Sequence, residues 1–313
     1  MTVETPSLAR TLRGVCRDVR EHEPLSKHVS FRIGGPADLL AVPRSVAELR
    51  AVAAFLFARG LPFVVLGAGS NVLIADRGIR GVVVKIGKGV DAFGFAAETL
   101  TAAAGAGLPH LARAAAEAGL AGLEFAAGIP ATVGGAVVMN AGAHGHAMDE
   151  IVERVDIVDA AGGRTLSRGA LGYAYRTSGL QQEAAVVLEV ALRLRAGNPA
   201  EIRARTELWL RHRSESQPIG PPSSGCVFQN PSGDHAGRLV DLAGGKGLAV
   251  GGARVSEVHA NYIINTGGAS AADVLALADK VKTLVAEKFG ITLKPEIKLL
   301  GEFQTPGDTN LIS

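Results

Sequence analysis

The clearest periodic pattern in the chain is a helical one near its C-terminal end. Ser270-Ala-Ala-Asp273 opens this stretch, and Gly290 follows the last apolar position. The apolar positions between them recur every three or four residues: Val274, Leu277, Val281, Leu284 and Val285. This pattern predicts an amphipathic helix.

Four other stretches predict helices by the same reasoning. Ser45 and Glu48 have capping-box spacing before a run of apolar residues at helical intervals. Residues 7–20 have apolar residues at helical spacing, and residues 108–119 are helical by composition. The dipeptide Asn198-Pro199 is typical of the start of a further helix.

Short runs of apolar and β-branched residues predict strands between these helices. The runs at 63–66 and 82–86 are continuous and indicate buried strands, whereas those at 152–160 and 185–194 alternate between two faces. Strands and helices are interleaved along the chain, so the pattern predicts a mixed α and β protein. Gly197 and the polar, proline-rich stretch 214–224 are candidate domain boundaries.

Composition agrees with a globular protein of two or three domains. The chain has 313 residues, of which 47% are hydrophobic and 20% charged, so it has enough apolar mass for real cores. A net charge of +2 and an aromatic content of 4% argue against binding of nucleic acid. No stretch approaches the roughly 18 uninterrupted apolar residues of a membrane span, and no signal peptide is recognisable, so we expect a cytoplasmic protein.

Cysteine and histidine usage does not indicate a disulfide framework or a metal site. The two cysteines, Cys16 and Cys226, lie far apart in the chain. His144 and His146 alternate in a loop without nearby cysteine or carboxylate ligands, so we expect no metal. Cys226 lies in a loop of small residues, Ser223-Ser224-Gly225-Cys226, where a thiol can serve as a nucleophile, a redox switch, a proton donor or packing.

Glycines cluster at two places. Gly67–Asn71 follows the predicted strand 63–66 and resembles the start of a dinucleotide-binding fingerprint, but Val72 replaces its third glycine, and an ordinary turn explains it equally well. Residues 122–145 contain six glycines and no lysine or arginine. Backbone N–H groups in such a segment can converge on an anion such as a pyrophosphate.

The second cluster resembles the FAD-binding segment of the UDP-N-acetylenolpyruvoylglucosamine reductases. The resemblance rests on Gly128-Ile-Pro-Ala-Thr-Val-Gly-Gly-Ala136, followed by Met139-Asn-Ala-Gly-Ala143. Further motifs follow the family's order over roughly residues 25 to 303. They are Phe31–Asp38, Gly67–Asn71, Tyr175–Ser178, the Cys226 loop through Asn230-Pro231, Gly251–Ser256, His259–Asn261 and Pro295-Glu296.

The resemblance implies an α+β fold with a vanillyl-alcohol-oxidase-type FAD-binding domain in two lobes, followed by an α+β substrate-binding domain. The implied ranges are an extension at 1–20, lobes at 21–87 and 88–197, a substrate-binding domain at 198–303 and a tail at 304–313. The family's first type has an extra tyrosine-bearing loop. The short connection between Arg176 and the predicted strand at 185–194 leaves no room for it, so the chain is similar to the second type.

The resemblance also implies an activity with two halves. NADPH reduces FAD, and the reduced flavin passes a hydride to the enolpyruvyl group of UDP-N-acetylglucosamine enolpyruvate, giving UDP-N-acetylmuramate for peptidoglycan. Addition of hydride beside a carboxylate creates an enolate-like dianion, which needs donors or cations where its charge develops and a proton donor at the carbon. By motif match, Arg176 and Glu296 stabilise this intermediate and Cys226 donates the proton.

Two residues depart from the family's pattern. The proton donor is commonly serine, and Cys226 stands in its place, with Ser223 and Ser224 nearby as alternative donors. A thiol, whose pKa in an unstructured peptide is about 8.5, gives up a proton more readily than an alcohol, provided the site does not leave it as a thiolate. Ala131 replaces a glycine that usually follows Pro130, which indicates that ordinary φ is tolerated there.

The remaining site residues are expected from the same motifs. Cofactor-binding positions are Gly67, Gly69, Ser70, Asn71, Gly128, Thr132, Gly134, Gly135, Asn140 and Gly142, and substrate-binding positions are Tyr175, Asn230 and His259. We expect FAD to be non-covalent, NADPH to be the co-substrate and the protein to be a monomer. The alternatives are another flavin-dependent oxidase or dehydrogenase of the same fold, or a flavin-binding protein without catalytic activity.

Overall fold

The structure is a computed structural model that describes residues 5–303 of the chain. Its α-helices are α1 (Thr5–Leu12), α2 (Val46–Ala58), α3 (Leu108–Glu117), α4 (Val133–Val138), α5 (Pro199–Ser216), α6 (Ala236–Leu242) and α7 (Ala271–Phe289). Its strands are β1 (Val19–Pro24), β2 (Pro36–Ala41), β3 (Phe63–Leu66), β4 (Val72–Ile74), β5 (Ile79–Lys85), β6 (Phe93–Ala96), β7 (Thr99–Ala103), β8 (Leu120–Ala121), β9 (Gly142–Ala143), β10 (His146–Ala147), β11 (Val152–Asp159), β12 (Gly162–Ser167), β13 (Val186–Arg193), β14 (Arg195–Ala196), β15 (Ala249–Val250), β16 (Ala253–Val255), β17 (Ile263–Asn265) and β18 (Lys298–Leu300).

The chain forms two compact units, and each is built from separated stretches of sequence. Unit 1 comprises the residues up to 21 together with 39–68 and 81–213. Unit 2 comprises 22–38, 69–80 and the residues from 214 onward. The ranges 21–87, 88–197 and 198–303 stay predictions of functional domains. The predicted tail 304–313 lies outside the described residues, as do the first four residues of the predicted extension.

Unit 1 contains a five-stranded antiparallel sheet in the order β12-β11-β13-β7-β6. The strand predicted over 185–194 is present as β13, and it is buried at every position except Glu189 and Arg193, which lie on the same face. Helices α2 and α4 both pack against β13, and this cover explains why nearly every side chain of the strand is apolar.

A second sheet has the order β1-β2-β5-β3, with β3 parallel to β5. The predicted strand at 63–66 is present, but it lies at the edge of this sheet, and only Leu66 is fully buried. Val65 is 37% exposed, so the expectation of a buried strand is wrong. Strand β5, in the interior of the sheet, has the fully buried run Val82–Val84 that its sequence predicts.

The helix predicted over 7–20 is shorter than expected. Helix α1 ends at Leu12, the chain then turns, and β1 begins at Val19. The apolar spacing continues past the helix because Cys16 and Val19 are also buried in the core of unit 1. A periodic pattern therefore reports burial here without reporting one continuous helix.

Unit 2 is built around helix α7, which packs on α6, β15 and β16. Helix α7 begins, as predicted, after Ser270, and the structure shows a capping box there: Ser270 Oγ accepts from the Asp273 N–H at 3.0 Å, and Asp273 Oδ2 accepts from the Ser270 N–H at 3.0 Å. Gly290 ends the helix with a φ of +67°. The apolar face of α7 forms the core of this unit with Phe31, Leu73 and their neighbours. Within residues 5–303, no helix is both long and apolar enough to cross a membrane.

Candidate active site

Arg176 lies in unit 1 at a tight two-residue turn. The backbones of Ala174 and Thr177 exchange two hydrogen bonds of 3.1 Å, so Tyr175 and Arg176 occupy the two central positions. Arg176 has a φ of +57°, in the left-handed region where glycine is usual. A non-glycine residue persists there only when its surroundings impose the conformation.

Buried side chains on both sides hold this turn. Asn140 Nδ2 donates to the carbonyl of Ala174 at 3.0 Å, and Ser178 Oγ donates to the carbonyl of Val138 at 2.7 Å. Gln181 Nε2 donates to the carbonyl of the arginine itself at 3.1 Å. Asn140 and Ser178 are only 4% and 2% exposed, so water does not compete for these bonds. The segment after α4 therefore fixes the arginine turn.

The guanidinium of Arg176 reaches back to the second glycine cluster. Its Nη2 donates to the carbonyl of Gly142 at 2.9 Å, and its Cζ lies 5.2 Å from the ring centroid of Tyr175. Gly142 is itself crowded, since a Cβ there would approach Ala147 Cβ to 2.8 Å. The predicted catalytic arginine and a predicted cofactor-binding glycine are thus direct neighbours.

Cys226 and Glu296 lie on neighbouring backbone segments of unit 2. Cys226 forms a β-bridge with Tyr262, and Phe228 forms one with Pro295. Between them, the N–H of Glu296 donates to the carbonyl of Val227 at 2.7 Å. The structure therefore brings together two of the three predicted catalytic residues, which the sequence separates by seventy positions. Arg176 belongs to unit 1.

Two asparagines support this arrangement. Asn261 is 2% exposed, accepts from the N–H of Phe228 at 2.9 Å and donates to the carbonyl of the same residue at 2.8 Å. Asn71 Nδ2 donates to the carbonyl of Glu296 at 3.3 Å. Asn71 was expected at the cofactor, and in the structure its side chain also fixes the backbone of the glutamate. Sequence reasoning placed Asn261 in a motif but did not find its structural role.

The two thiols have different environments. Cys16 is buried, and burial raises the pKa of its thiol to about 11. Cys226 is half-buried and follows Gly225, whose φ of +78° makes the sharp turn before the thiol. Ser224 is 1% exposed, and its Oγ has no hydrogen-bond partner among the described residues, whereas Ser223 is partly exposed. Cys16 is therefore a core residue, and Cys226 is the accessible thiol.

The first glycine cluster has the features of an anion-binding loop. Among residues 5–303, the backbone N–H groups of Gly67 to Asn71 have no hydrogen-bond partner in the protein. A Cβ on Gly67 would overlap Thr132 Oγ1, and a Cβ on Gly69, whose φ is +69°, would lie 2.6 Å from the carbonyl oxygen of His28. Five successive unpaired amides, with no room for a side chain at Gly67 or Gly69, fit an anion such as the pyrophosphate of FAD.

The second cluster uses two of its amides within the protein. Thr132 caps α4 by accepting from the N–H of Gly135 at 3.4 Å, and Gly134 donates to the carbonyl of Ala104 at 2.9 Å. A Cβ on Gly134 would lie 2.9 Å from Ala104 Cβ. These glycines allow close packing of α4, and their two amides have partners within the protein; their role at the cofactor stays a prediction. Gly128 packs against Arg213.

The predicted substrate-binding residues have separate environments. Tyr175 is 54% exposed beside Arg176. Asn230 is exposed, and its Oδ1 accepts from the N–H of Ala236 at 3.0 Å, which supports the start of α6. His259 is half-buried, and burial lowers its pKa. Its Nδ1 accepts from the Asn261 N–H at 3.2 Å, which leaves Nε2 as the protonated nitrogen of the neutral ring.

The paired histidines of the second cluster are part of an aromatic contact. The ring of His144 stacks on Trp209 of α5, with centroids 4.9 Å apart and planes at 5°. Burial, followed by the nearby charge of His212, lowers the pKa of His144. Within the described residues, no group of three or more His, Cys, Asp or Glu side chains is arranged to hold a metal ion.

Lys85 is a residue that sequence reasoning did not connect with the site. It is the last residue of β5, and its Nζ donates to the carbonyl of Gly67. Burial lowers the pKa of this ammonium group to about 8. The only signal in the sequence is a lysine at the end of a continuous apolar run, directly before Ile86.

The chain is similar to known proteins over most of its length. A family model described as "FAD binding domain" matches residues 37–169, and one described as "UDP-N-acetylenolpyruvoylglucosamine reductase, C-terminal domain" matches residues 217–300. The UDP-N-acetylenolpyruvoylglucosamine reductase of Heliobacterium modesticaldum is 48% identical over 92% of this chain and 94% of its own length. The reductase of the same name from Caldanaerobacter subterraneus subsp. tengcongensis is 45% identical over 90% of this chain and 93% of its own.

A solved structure gives the same result for the fold. The crystal structure of UDP-N-acetylenolpyruvylglucosamine reductase from Thermus caldophilus has a TM-score of 0.79 and 36% identity, and the match covers 90% of this chain and 100% of the other. The predicted fold class, an α+β protein with a vanillyl-alcohol-oxidase-type FAD-binding domain, is confirmed. From its motifs, its domain matches and these relatives, the chain belongs to the UDP-N-acetylenolpyruvoylglucosamine reductase family of flavin-dependent oxidoreductases.

Proposed function

We propose that this protein reduces UDP-N-acetylglucosamine enolpyruvate to UDP-N-acetylmuramate with electrons from NADPH, in the synthesis of peptidoglycan precursors in the cytoplasm. Similarity to reductases over about nine-tenths of the chain supports the reaction class. FAD, when bound, carries the hydride between NADPH and the enolpyruvyl double bond. The observation that supports the residue assignment is the hydrogen bond from the Glu296 N–H to the Val227 carbonyl, which joins the backbone segments of Glu296 and Cys226.

The first glycine cluster is the proposed binding loop for the FAD pyrophosphate. Gly67–Asn71 presents successive backbone amides that have no partner among residues 5–303, and amides of this kind bind phosphate without a side-chain charge. Gly128, Thr132, Asn140 and Gly142 are proposed to line the cofactor by packing, since Gly134 and Gly135 use their amides within the protein. The binding is non-covalent in this proposal.

Arg176 and Glu296 are proposed to hold the charge that develops on the substrate. A planar guanidinium binds a carboxylate through paired hydrogen bonds, and the arginine turn is already fixed by Asn140 and Ser178 before substrate arrives. Such preorganisation lowers the barrier because the donors need not reorient as charge develops. Glu296 helps in this role only when it is protonated or paired with a cation.

Cys226 is proposed to give the proton that completes the lactyl carbon. The thiol is half-buried in a loop whose backbone is held on both sides by Tyr262 and by the segment of Glu296. The S–H bond breaks as the new C–H bond forms at the carbon of the enolate-like intermediate, and the thiolate that remains regains its proton from solvent. A donor with a pKa close to the working pH suits this transfer.

Replacement of the thiol tests the assignment. We expect Cys226→Ser to keep much of the activity and Cys226→Ala to lower kcat by roughly 10²- to 10⁴-fold, the usual contribution of a general acid. Rapid mixing of each yellow holoprotein with NADPH should show unchanged bleaching of the flavin, because the proton donor serves only the second half-reaction.

Ser223→Ala and Ser224→Ala are the matched controls, since both remove a hydroxyl from the same loop. If Cys226→Ala stayed active while one of these serine variants lost activity, that serine would be the donor. Loss of flavin bleaching in Cys226→Ala would contradict the role given to the thiol. If the protein oxidised NADPH equally fast without the enolpyruvyl sugar nucleotide, the proposed substrate would be wrong.

A further inference from the structure

Lys85 is a half-buried cation in contact with the first glycine cluster. Its Nζ donates to the carbonyl of Gly67, and both residues belong to unit 1. Burial lowers the pKa of the ammonium to about 8, so at neutral pH the group keeps its charge and donates. Placing a charged lysine where it is poorly hydrated costs folding free energy, and such a cost indicates a function for the charge.

The Gly67 carbonyl and the Ala68 N–H belong to one peptide group. A cation on the carbonyl oxygen draws electrons through the peptide bond and makes the N–H at the other end a stronger donor. Among residues 5–303, the Ala68 N–H is one of five successive amides, from Gly67 to Asn71, that have no partner in the protein. The lysine therefore bonds to the carbonyl of a peptide group whose N–H, that of Ala68, is an unpaired donor.

We propose that Lys85 is a positioning residue for FAD, which polarises and orients the Gly67–Ala68 peptide so that the loop binds the cofactor's pyrophosphate more tightly. The proposal rests on the proposed function, specifically on Gly67–Asn71 as the pyrophosphate loop. In this proposal, the Lys85 ammonium adds a positive charge beside the backbone amides of Gly67–Asn71.

The Gly67–Ala68 peptide is closely packed, so loss of a group that contacts it should shift its position. A Cβ on Gly67 would overlap Thr132 Oγ1, the atom that accepts from Gly135 at the start of α4. The peptide thus lies between the cap of α4 on one side and the ammonium of Lys85 on the other. Removal of the ammonium leaves the carbonyl oxygen without this charged donor, and the amide of Ala68 becomes an ordinary one.

Lys85→Met tests the proposal, because methionine keeps the unbranched apolar stem and removes the charge. Release of FAD on serial dilution of the purified holoprotein is followed by the fluorescence of the free flavin, which gives a Kd. We expect Kd to rise about tenfold or more in Lys85→Met. Lys85→Arg, which keeps a charged donor, should stay within about threefold of the unchanged protein.

Lys88→Met is the matched control, since Lys88 is exposed three residues further along and its loss changes net charge equally. Its Kd should change less than about twofold. Thermal unfolding over a range of FAD concentrations separates binding from folding: extrapolation to zero FAD should show Lys85→Met at least as stable as the unchanged protein. A merely structural role predicts the opposite, with lower stability at zero FAD and a fall in affinity that Lys85→Arg does not rescue.

Gly67→Ala distinguishes this inference from the assignment of the loop. If Gly67→Ala weakens FAD binding and Lys85→Met does not, the loop binds FAD and the proposal for Lys85 is wrong. If neither variant changes the Kd for FAD, the pyrophosphate lies elsewhere, and the loop assignment in the proposed function is also wrong.

Discussion

Asn140 should control the position of Arg176, the proposed catalytic arginine, without touching the substrate. Its side chain is 4% exposed and makes two hydrogen bonds: Nδ2 donates to the carbonyl of Ala174 at 3.0 Å, and Oδ1 accepts from the N–H of Asp149 at 3.0 Å. Its φ of +44° lies in the left-handed region, which asparagine tolerates better than alanine does. Asn140→Ala therefore removes two buried bonds and introduces backbone strain.

The expected loss of unfolding free energy is about 2–5 kcal/mol. Each lost hydrogen bond contributes roughly 0.5–1.5 kcal/mol, and alanine in the left-handed region costs roughly 1–2 kcal/mol. Asn140→Gly loses the same bonds without the strain and should be about 1 kcal/mol less destabilised than Asn140→Ala. Asn140→Asp keeps the acceptor for Asp149 but loses the donor to Ala174, so it affects the turn of Arg176 most directly.

Urea unfolding at saturating FAD gives the stabilities, and NADPH oxidation with the enolpyruvyl sugar nucleotide gives kcat. We expect kcat to fall about tenfold or more in Asn140→Asp, because a small displacement of a catalytic group is costly. The ratio of flavin to protein must be measured as well, since Asn140 is also a proposed cofactor neighbour. A loss below about 1 kcal/mol in Asn140→Ala, together with unchanged kcat, would refute the reasoning.

Two further predictions concern stability alone. The pKa of Lys85 is lowered from 10.5 to about 8, so its charge costs about 3 kcal/mol below pH 8, and that cost disappears as pH rises to about 10.5, where the unfolded chain has also lost the proton. Without FAD, Lys85→Met should have a higher unfolding free energy than the unchanged protein, and this difference should shrink as pH rises from about 8 to about 10.5. Urea unfolding at several pH values measures it, and a difference that stays constant would contradict the lowered pKa. Ser270→Ala and Gly290→Ala should each cost about 1 kcal/mol, the first by loss of the cap to Asp273 and the second by strain at a φ of +67°, with FAD affinity unchanged. Calorimetric Tm values that did not fall in these two variants would show that the ends of α7 contribute little to stability.

Local signals in the sequence predicted the elements whose causes are local. The start of α7 at Ser270, its glycine stop and the strand at 82–86 are formed as expected, since each depends on residues within a few positions. The helix at 7–20 was predicted too long because apolar spacing reports burial, and Val19 is buried in a strand. The strand at 63–66 is more exposed than predicted because its place at the edge of the sheet depends on distant strands.

The site shows the same division between local and distant causes. The motifs identified Arg176, Cys226 and Glu296 as candidate catalytic residues, but they did not predict the hydrogen bonds that hold the backbone around them. The glycines of 122–145 indicated a segment whose amides can bind an anion, but the sequence did not show that Gly134 donates to the Ala104 carbonyl and Gly135 to the Thr132 hydroxyl. No pattern in the sequence predicted a role for Lys85. Its partner Gly67 follows the neighbouring strand β3 and lies 18 positions away in the chain.

The sequence by itself determined the family, the reaction class that the family implies and the residue types available for it, including a thiol where serine is common. Only the tertiary structure decided how these residues are supported: Asn140 bonds to the arginine turn, Glu296 lies beside the Cys226 segment, and Lys85 bonds to the carbonyl of Gly67. The physical reason is the reach of the interactions. Caps and periodicities act over a few residues, whereas a buried hydrogen bond joins whichever distant groups the packed core brings within about 3 Å.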